Sequence, residues 1–419
     1  MADSRIFREN NRLYFQGTFG IADLHRSLDN LNGIVQQAGY PDVILDFSSC
    51  DIAYPSAMLG LCAQVSRMHL AQIDFELILP NKEELRRLFY NANWAHFLAP
   101  RANDPSVFKG HKQVPATQYS KSEDQFKAVN RIANAILGAI PDIAREDFAA
   151  LEWSINEITD NVMVHAQSPV GGFVQVSTFS RTKKRLAFIV ADAGVGIPVT
   201  LRKGYPEISS DADALDKAIR EGVTRDTSIG QGNGLFGSYQ ICSHSGGYFQ
   251  MDSGYAKLIF SQKAGLHVRA EPVPYDGTLV VAEIDFSVPR LLEEALKFGG
   301  RVHHPTDYVT ARYEDNESDR IRFRIADEAT AFGSRIAGTP VRNKLLNLEK
   351  MCPKQRIWID FEDVALISSS FADEVVGKLF AEFGPMRFMG RFQLTGASST
   401  VQSLIDRAIS QRMSLNQSP

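Results

Sequence analysis

Long apolar runs are missing from this 419-residue chain. None approaches the roughly 18 residues that a transmembrane helix requires, and the opening MADSRIFREN lacks the apolar core of a secretory signal. Cysteine is scarce. Cys50, Cys62, Cys242 and Cys352 are scattered with no CxxC pair, which argues against a disulfide framework or a cysteine zinc site. An excess of one charge is missing too. With 45 Lys and Arg against 49 Asp and Glu the net charge is −4, so composition gives no reason to expect nucleic acid or an anionic membrane as partner. Hydrophobic residues at 44% and charged residues at 22% rule out wholesale disorder. A soluble, cytoplasmic chain of roughly two to four domains is expected.

Three segments are legible. The first, 1–105, holds the strand Val43–Phe47, a helix from about Ser56 and a strand Phe75–Leu79. A further helix is opened by Asn81 with Glu84 at capping-box spacing. Residues 101–120, polar and carrying two prolines, read as a linker. The second segment, 121–287, opens with a helix whose apolar stripe runs through Val129, Ile132 and Ile136. A second helix over 145–166 carries Phe148, Leu151, Ile155, Ile158 and Val162. Strands Phe173–Val176, Leu186–Val190 and Leu279–Ile284 follow, and 288–305 reads as the next junction. The third segment, 306–410, again alternates: strand Arg356–Phe361, helix from about Ser370, strand Phe388–Leu394, helix. Val43-Ile-Leu-Asp-Phe47 and Ile357-Trp-Ile-Asp-Phe361 each precede a loop ending in serine, so the outer segments read as divergent copies of one unit.

Chemistry concentrates in the middle segment, in three pieces. Glu157 and Asn161 lie four apart on one helix face; a carboxylate and an amide so placed suit a hydrated Mg²⁺ on phosphates, or the orientation of an attacking hydroxyl. Asp192-Ala-Gly-Val-Gly-Ile-Pro198 follows an apolar strand. Its glycines allow backbone to approach a flat ligand, and its aspartate can accept a hydrogen bond from an exocyclic amine. Gly230-Gln-Gly-Asn-Gly-Leu-Phe-Gly237 runs into a helix, an outline of a phosphate cradle without the Lys of a P-loop. Taken singly, each has a plainer reading: a solvated helix face, a glycine turn, a flexible loop.

In this order and spacing the pieces resemble the nucleotide-binding domain shared by gyrase, heat-shock chaperone ATPases, histidine kinases and mismatch-repair ATPases, the GHKL superfamily. The resemblance spans 121–287 and extends to Asp252-Ser-Gly254 and Gly277-Thr278. It implies ATP and Mg²⁺ as ligands, with Glu157 as general base or water-orienting carboxylate and Asn161 as metal ligand. Asp192 would read adenine, Gly194, Gly196 and Ile197 would shape its pocket, and Thr278 would assist through water. Gly230, Gly232, Asn233, Gly234 and Leu235 would form the phosphate box. His165 would be a phosphate-contacting or a packed structural residue. Residues 199–229 would form a lid with a short helix from Asp211 to Glu221, capped by Ser210, and with Arg225 as a phosphate cation; Arg202 and Lys203 read as surface charge.

The Glu-x-x-x-Asn-x-x-x-His-Ala form of the first box looks most like the anti-sigma-factor serine kinases, which act on STAS-domain partners. The outer segments resemble STAS domains. Ser56, and Ser369 and Ser370 beside Ser368, fall near the phosphoacceptor position, although the Asp-Ser-Ser-Gly setting is absent and a helix N-cap is the plainer reading. The resemblance thus implies an α+β or α/β multidomain chain, a central Bergerat-type α/β sandwich between two small STAS-like α/β domains. Three functions stay open: a serine kinase or ATP-dependent switch acting on a STAS-like protein partner, a slow conformational ATPase that forms a homodimer, or a nucleotide-sensing scaffold. Neither nucleic acid nor membrane is expected as a partner.

Overall fold

The computed structural model describes residues 4–106, 114–178, 185–223, 233–288, 295–298, 300–303, 308–315, 318–329 and 331–415. They form mixed α/β structure in two compact units, one from 1–108, 113–129 and 153–303, the other from 130–152 and 304–419.

The first unit contains two sheets. The N-terminal sheet is built from β1 (Arg5–Glu9), β2 (Arg12–Phe19), β3 (Asp42–Asp46), β4 (Cys50–Ala53) and β5 (Asp74–Ile78), in the order β1-β2-β3-β5 with β4 on β2. β1 and β2 form a hairpin; β3 and β5 continue in parallel. Helices α1 (Ile21–Asn32), α2 (Pro55–Leu70), α3 (Glu83–Asn91) and α4 (Trp94–Leu98) accompany it. Phe47 lies at its core, stacked on Phe15 with ring centroids 4.0 Å apart. α3 begins one residue later than the Asn81–Glu84 box predicts: its N-cap is Lys82, with no side-chain cap, and Asn81 instead donates its backbone N–H to Ser48.

The central sheet is antiparallel throughout, ordered β6-β7-β8-β10-β9 from β6 (Val114–Tyr119), β7 (Gly172–Thr178), β8 (Arg185–Asp192), β9 (Tyr248–Ser261) and β10 (Gly265–Asp285). β6 corrects the linker reading of 101–120. It is an edge strand whose register against β7 slips between Val114 and Thr117, a setting in which Pro115 costs no ladder bond. The other elements here are α5 (Ser122–Ala139) as far as Val129, α6 (Arg145–Asn161) from Trp153 on, continued by a π-turn (Val162–Ala166), α7 (Gly196–Arg202), α8 (Asp211–Ala218) and α9 (Gly234–His244). Ser210 caps α8 as expected, accepting from the Asp213 N–H.

Both faces of this sheet are covered around β8 and the half of β10 paired with it. Ala116, Phe173, Ile189, Ala191, Leu279 and Val281 join one apolar core with the N-terminal residues Leu24, Gly60's neighbours Leu59 and Leu61, and Trp94. The alternate residues Val190, Asp192, Thr278 and Val280 face a cavity on the other side. Burial on both faces explains why β8 is almost uninterruptedly apolar.

A short hairpin, β11 (Lys297–Phe298) and β12 (Arg301–Val302), ends the first unit. In the second, β13 (Glu314–Asp315), β14 (Arg320–Arg324), β15 (Arg356–Asp360) and β16 (Phe392–Thr395) lie in that order. Again the first pair is antiparallel and the rest parallel. Its helices are α10 (Tyr308–Tyr313), α11 (Ile325–Glu328), α12 (Arg335–Met351), α13 (Ser369–Ala372), which runs through a π-turn into α14 (Lys378–Arg391), and α15 (Ser399–Leu415). The strand expected from Phe388 starts at Phe392 instead: after the kink at Gly384 and Pro385 the chain turns helical again, which seats Phe388 against Phe380 and Phe392. The two outer sheets share turn detail as well as polarity. Asp46 accepts from the Ser48 N–H at 2.9 Å and Asp360 from the Glu362 N–H at 3.0 Å. Phe47 N–H and Phe361 N–H each bond the last carbonyl of the next parallel strand at 2.9 Å.

The second unit encloses an ion cluster. Glu328 receives Lys344 Nζ at 2.8 Å and Arg312 at 2.6 Å, and Tyr313 donates its hydroxyl at 3.1 Å. Burial opposes the Glu328 charge, but Lys344 and Arg312 outweigh it and hold its pKa below 4.5. Its stabilising contribution is therefore full above the unfolded value and is lost as pH falls through the lowered folded one. Glu328→Gln strands the buried Lys344 charge and should cost about 3–5 kcal/mol at neutral pH. Thermal unfolding followed against pH should show the wild type losing stability more steeply than the variant below about pH 4.5.

Candidate functional site

α6 delivers Glu157 and Asn161 to the lining of the cavity, and the π-turn that continues it adds His165. The turn is fixed from behind: Val195 donates its N–H to the Ala166 carbonyl at 2.8 Å. β8 stops at Asp192, which also lines the cavity and is only 1% exposed. Its Oδ1 accepts the Gly194 N–H at 2.8 Å. A Cβ on Gly194 would lie 2.0 Å from the Ala166 carbonyl oxygen, so only glycine fits there. Gly196 has φ +77°, a left-handed conformation, and a Cβ on it would meet Ser253 Oγ at 2.7 Å. Ser253 Oγ accepts the Ile197 N–H at 2.9 Å and donates to the Gly277 carbonyl at 2.6 Å, tying α7 to β10. Opposite, α9 starts at Gly234, where a Cβ would approach Glu157 Oε2 to 2.5 Å.

The cavity has a volume of about 470 Å³. Glu157, Asn161, His165, Asp192, Gly196, Ile197, Asn233, Gly234, Leu235 and Thr278 all line it, whereas Gly194 shapes it from the second layer. Arg225, Gly230 and Gly232 lie outside the described residues. Arg202 turns away to pair with Asp211 at 2.7 Å, and Lys203 is exposed at the end of α7. The three serines are elsewhere. Ser56 is half-buried in the first turn of α2 and does not line the cavity. In the second unit Ser368 caps α13 through the Phe371 N–H, Ser370 shares a hydrogen bond with Ser368, and Ser369 opens the helix.

Asp192 is electrostatically poised. Burial raises its pKa from 3.8 to about 7, against the Gly194 N–H and, more weakly, the Thr278 N–H. Its Oδ2 has no hydrogen-bond partner among the described residues. A buried carboxylate oxygen left open beside a cavity is a place for a donor, and the walls Val190, Ile197, Leu201 and Val280 suit a flat apolar body behind that donor. Burial, and then the nearby Asp160, also raise the Glu157 pKa. Asp192 and the apolar walls beside it can thus bind an amine-bearing ring. Glu157 offers a carboxylate able to accept a proton and Asn161 an amide able to bind oxygen-loving cations.

Sequence reasoning missed an aromatic wall. Trp153, one turn before Glu157, lines the cavity with Phe298 of β11 and with His303 just after β12, their ring centroids 5.9–6.2 Å apart. Trp153 could have been found at its i−4 spacing from Glu157. Phe298 and His303 fall in a stretch whose glycines and proline suggested only a junction.

Known proteins illuminate the other end of the chain. Residues 337–402 match the family described as the STAS-like domain of unknown function (DUF4325). The second unit therefore carries a STAS-like domain, over α12, β15, α13, α14 and β16. No curated protein matches the chain. Among the described residues no helix is long and apolar enough to cross a membrane.

The Asp192 geometry makes a stability prediction. The unfolded carboxyl ionises near 3.8 and the folded one near 7, so folding loses stability as pH rises between those values. Asp192→Asn removes that loss. Relative to wild type, the variant should melt higher at about pH 8 than at about pH 4, measured by circular dichroism across pH.

Proposed function

We propose that the cavity is an adenine-nucleotide site of the GHKL kind and that the chain is an ATP-dependent switch acting on STAS-like modules. The observation that carries this reading is the open Oδ2 of buried Asp192 at the end of an apolar slot, the partner an adenine amine needs. The grouping of the lining residues supports it, with Thr278 next to Gly277, which packs on Asp192, and with the start of α9 packed on Glu157, one helical turn from Asn161. The backbone N–H groups at a helix start favour phosphate. Among the described residues no cluster of three or more His, Cys, Asp or Glu could hold a metal alone. Mg²⁺ at Asn161 would thus take its remaining ligands from phosphate oxygens and water.

For transfer, the acceptor hydroxyl oxygen forms a bond to the γ-phosphorus as the bond to the β,γ-bridging oxygen breaks. ADP leaves, and the hydroxyl proton passes to Glu157. A raised Glu157 pKa suits a proton acceptor. Ser56 belongs to the same unit as the cavity without lining it, so a protein partner or a second copy is the better source of the hydroxyl. The STAS-like domain at 337–402 fits a partner-switching role for the whole chain.

ATP labelled on its γ-phosphate tests the chemistry. Label on protein supports a serine kinase, released phosphate alone a conformational ATPase, and binding without either a nucleotide-sensing scaffold. Absence of binding overturns the site. Glu157→Ala should keep ATP affinity within a few fold while turnover falls by about 10²-fold. Asn161→Ala should weaken binding only when Mg²⁺ is present.

A further inference from the structure

The segment of β10 that covers Asp192 is gripped from the far side of the sheet by the N-terminal helices. β10 slips register against β9 between Ala270 and Tyr275 and again between Tyr275 and Thr278, so the intervening residues bulge out of the ladder. One end of the bulge belongs to the site. Gly277 has φ +103°, and a Cβ there would lie 2.5 Å from the Asp192 carbonyl oxygen and 2.6 Å from its Oδ1; Thr278 lines the cavity.

The rest of the bulge is held by α1 and α2. The backbone carbonyls of Val273 and Asp276 would otherwise be left bare by the broken ladder. His25 Nδ1 lies 2.8 Å from the Val273 oxygen, and Gln64 Nε2 donates to the Asp276 oxygen at 2.6 Å. The Arg67 guanidinium pairs with the Asp276 carboxylate. A second line runs through the other ring nitrogen of His25, 2.8 Å from Oδ1 of Asp252, whose neighbour Ser253 ties Ile197 to Gly277. Gln64 is 2% exposed and His25 5%, so water cannot readily replace either.

We infer that the N-terminal module sets the affinity and the base selectivity of the pocket by holding this bulge, with His25, Gln64 and Arg67 as positioning residues. The inference rests on the nucleotide reading and adds a regulatory input to it. Whatever shifts α1 or α2 acts on the bulge that carries Gly277 and Thr278 beside Asp192, and none of these contacts involves Glu157, Asn161 or Gly234. A protein bound to the N-terminal module thus acts on the base end of the site.

The test is calorimetric titration of the full chain with ATP, ADP and GTP, in wild type, Asp192→Asn and the double variant Gln64→Leu/Arg67→Met. The double variant should bind ATP and ADP about tenfold more weakly, by the same factor for both, because the phosphates are not involved. Its preference for ATP over GTP should shrink. Arg67→Lys, which keeps the charge and loses the fork, should fall between and serves if the double variant does not fold. A folded variant with wild-type affinity and ATP/GTP preference overturns the inference while leaving the pocket reading intact, provided that Asp192→Asn is impaired. Loss that differs between ATP and ADP also overturns it. A wild-type chain that binds no adenine nucleotide overturns both.

Discussion

Around β8 and the half of β10 paired with it the central sheet is buried on both faces, and most of the first unit follows from that. Residues alternating along β8 and β10 point either into the core shared with α1 and α2 or into the cavity, so neither side tolerates polar side chains except where they have work to do. Asp192 sits at the end of such a strand with almost no exposure. Leaving a buried oxygen without a partner costs about 1–3 kcal/mol, and burial pushes the carboxyl up to about 7. A residue kept at that cost fits the proposed site, which would trade stability for binding. The glycines at 194, 196 and 277 follow from the same crowding: each lets backbone pass within a Cβ's width of Asp192 or its neighbours.

How much of this was legible in the sequence depended on whether the signal was local. Glu157 and Asn161 share a helix face by spacing alone, Asp192 ends an unbroken apolar run, and the Ser210 cap reads from three residues. Each is a property of a short window. The edge strand β6 was hidden by its polar composition and its proline, because an edge strand needs neither full burial nor every N–H. Most of the β9–β10 hairpin was hidden too. Its outer half is exposed, and its bulge around Val273–Thr278 is shaped by α1 and α2, which lie some 200 residues earlier in the chain. Phe298 and His303 were missed for the same reason: the wall that they form exists only after α6 has brought Trp153 to meet them.

The outer sheets show one turn in two settings. Asp46 and Asp360 make the same side-chain bond to the N–H two residues on, and Arg12 and Arg322 stand over them at 3.6 and 3.7 Å. The surroundings differ. In the first, α1 and α2 spend their apolar faces on the central sheet, so the module serves as a wall of the unit that holds the cavity. In the second, α12 instead meets the buried Glu328–Lys344–Arg312 cluster, and the matched STAS-like family covers this region. One fold pattern thus supplies a buttress in one place and a separate module in the other.

Asp192 is proposed to read the ligand, and proton linkage on binding is the sharpest check of that role. ATP titrated into the full chain, in buffers of different ionisation enthalpy, reports the protons exchanged on binding. A carboxyl that titrates at about 7 when empty is largely protonated at about pH 6, and an amine donor favours its ionised form. The account therefore predicts proton release on binding near pH 6 that fades by about pH 9 and disappears in Asp192→Asn. Binding with no pH-dependent proton release, or no binding at all, would contradict it.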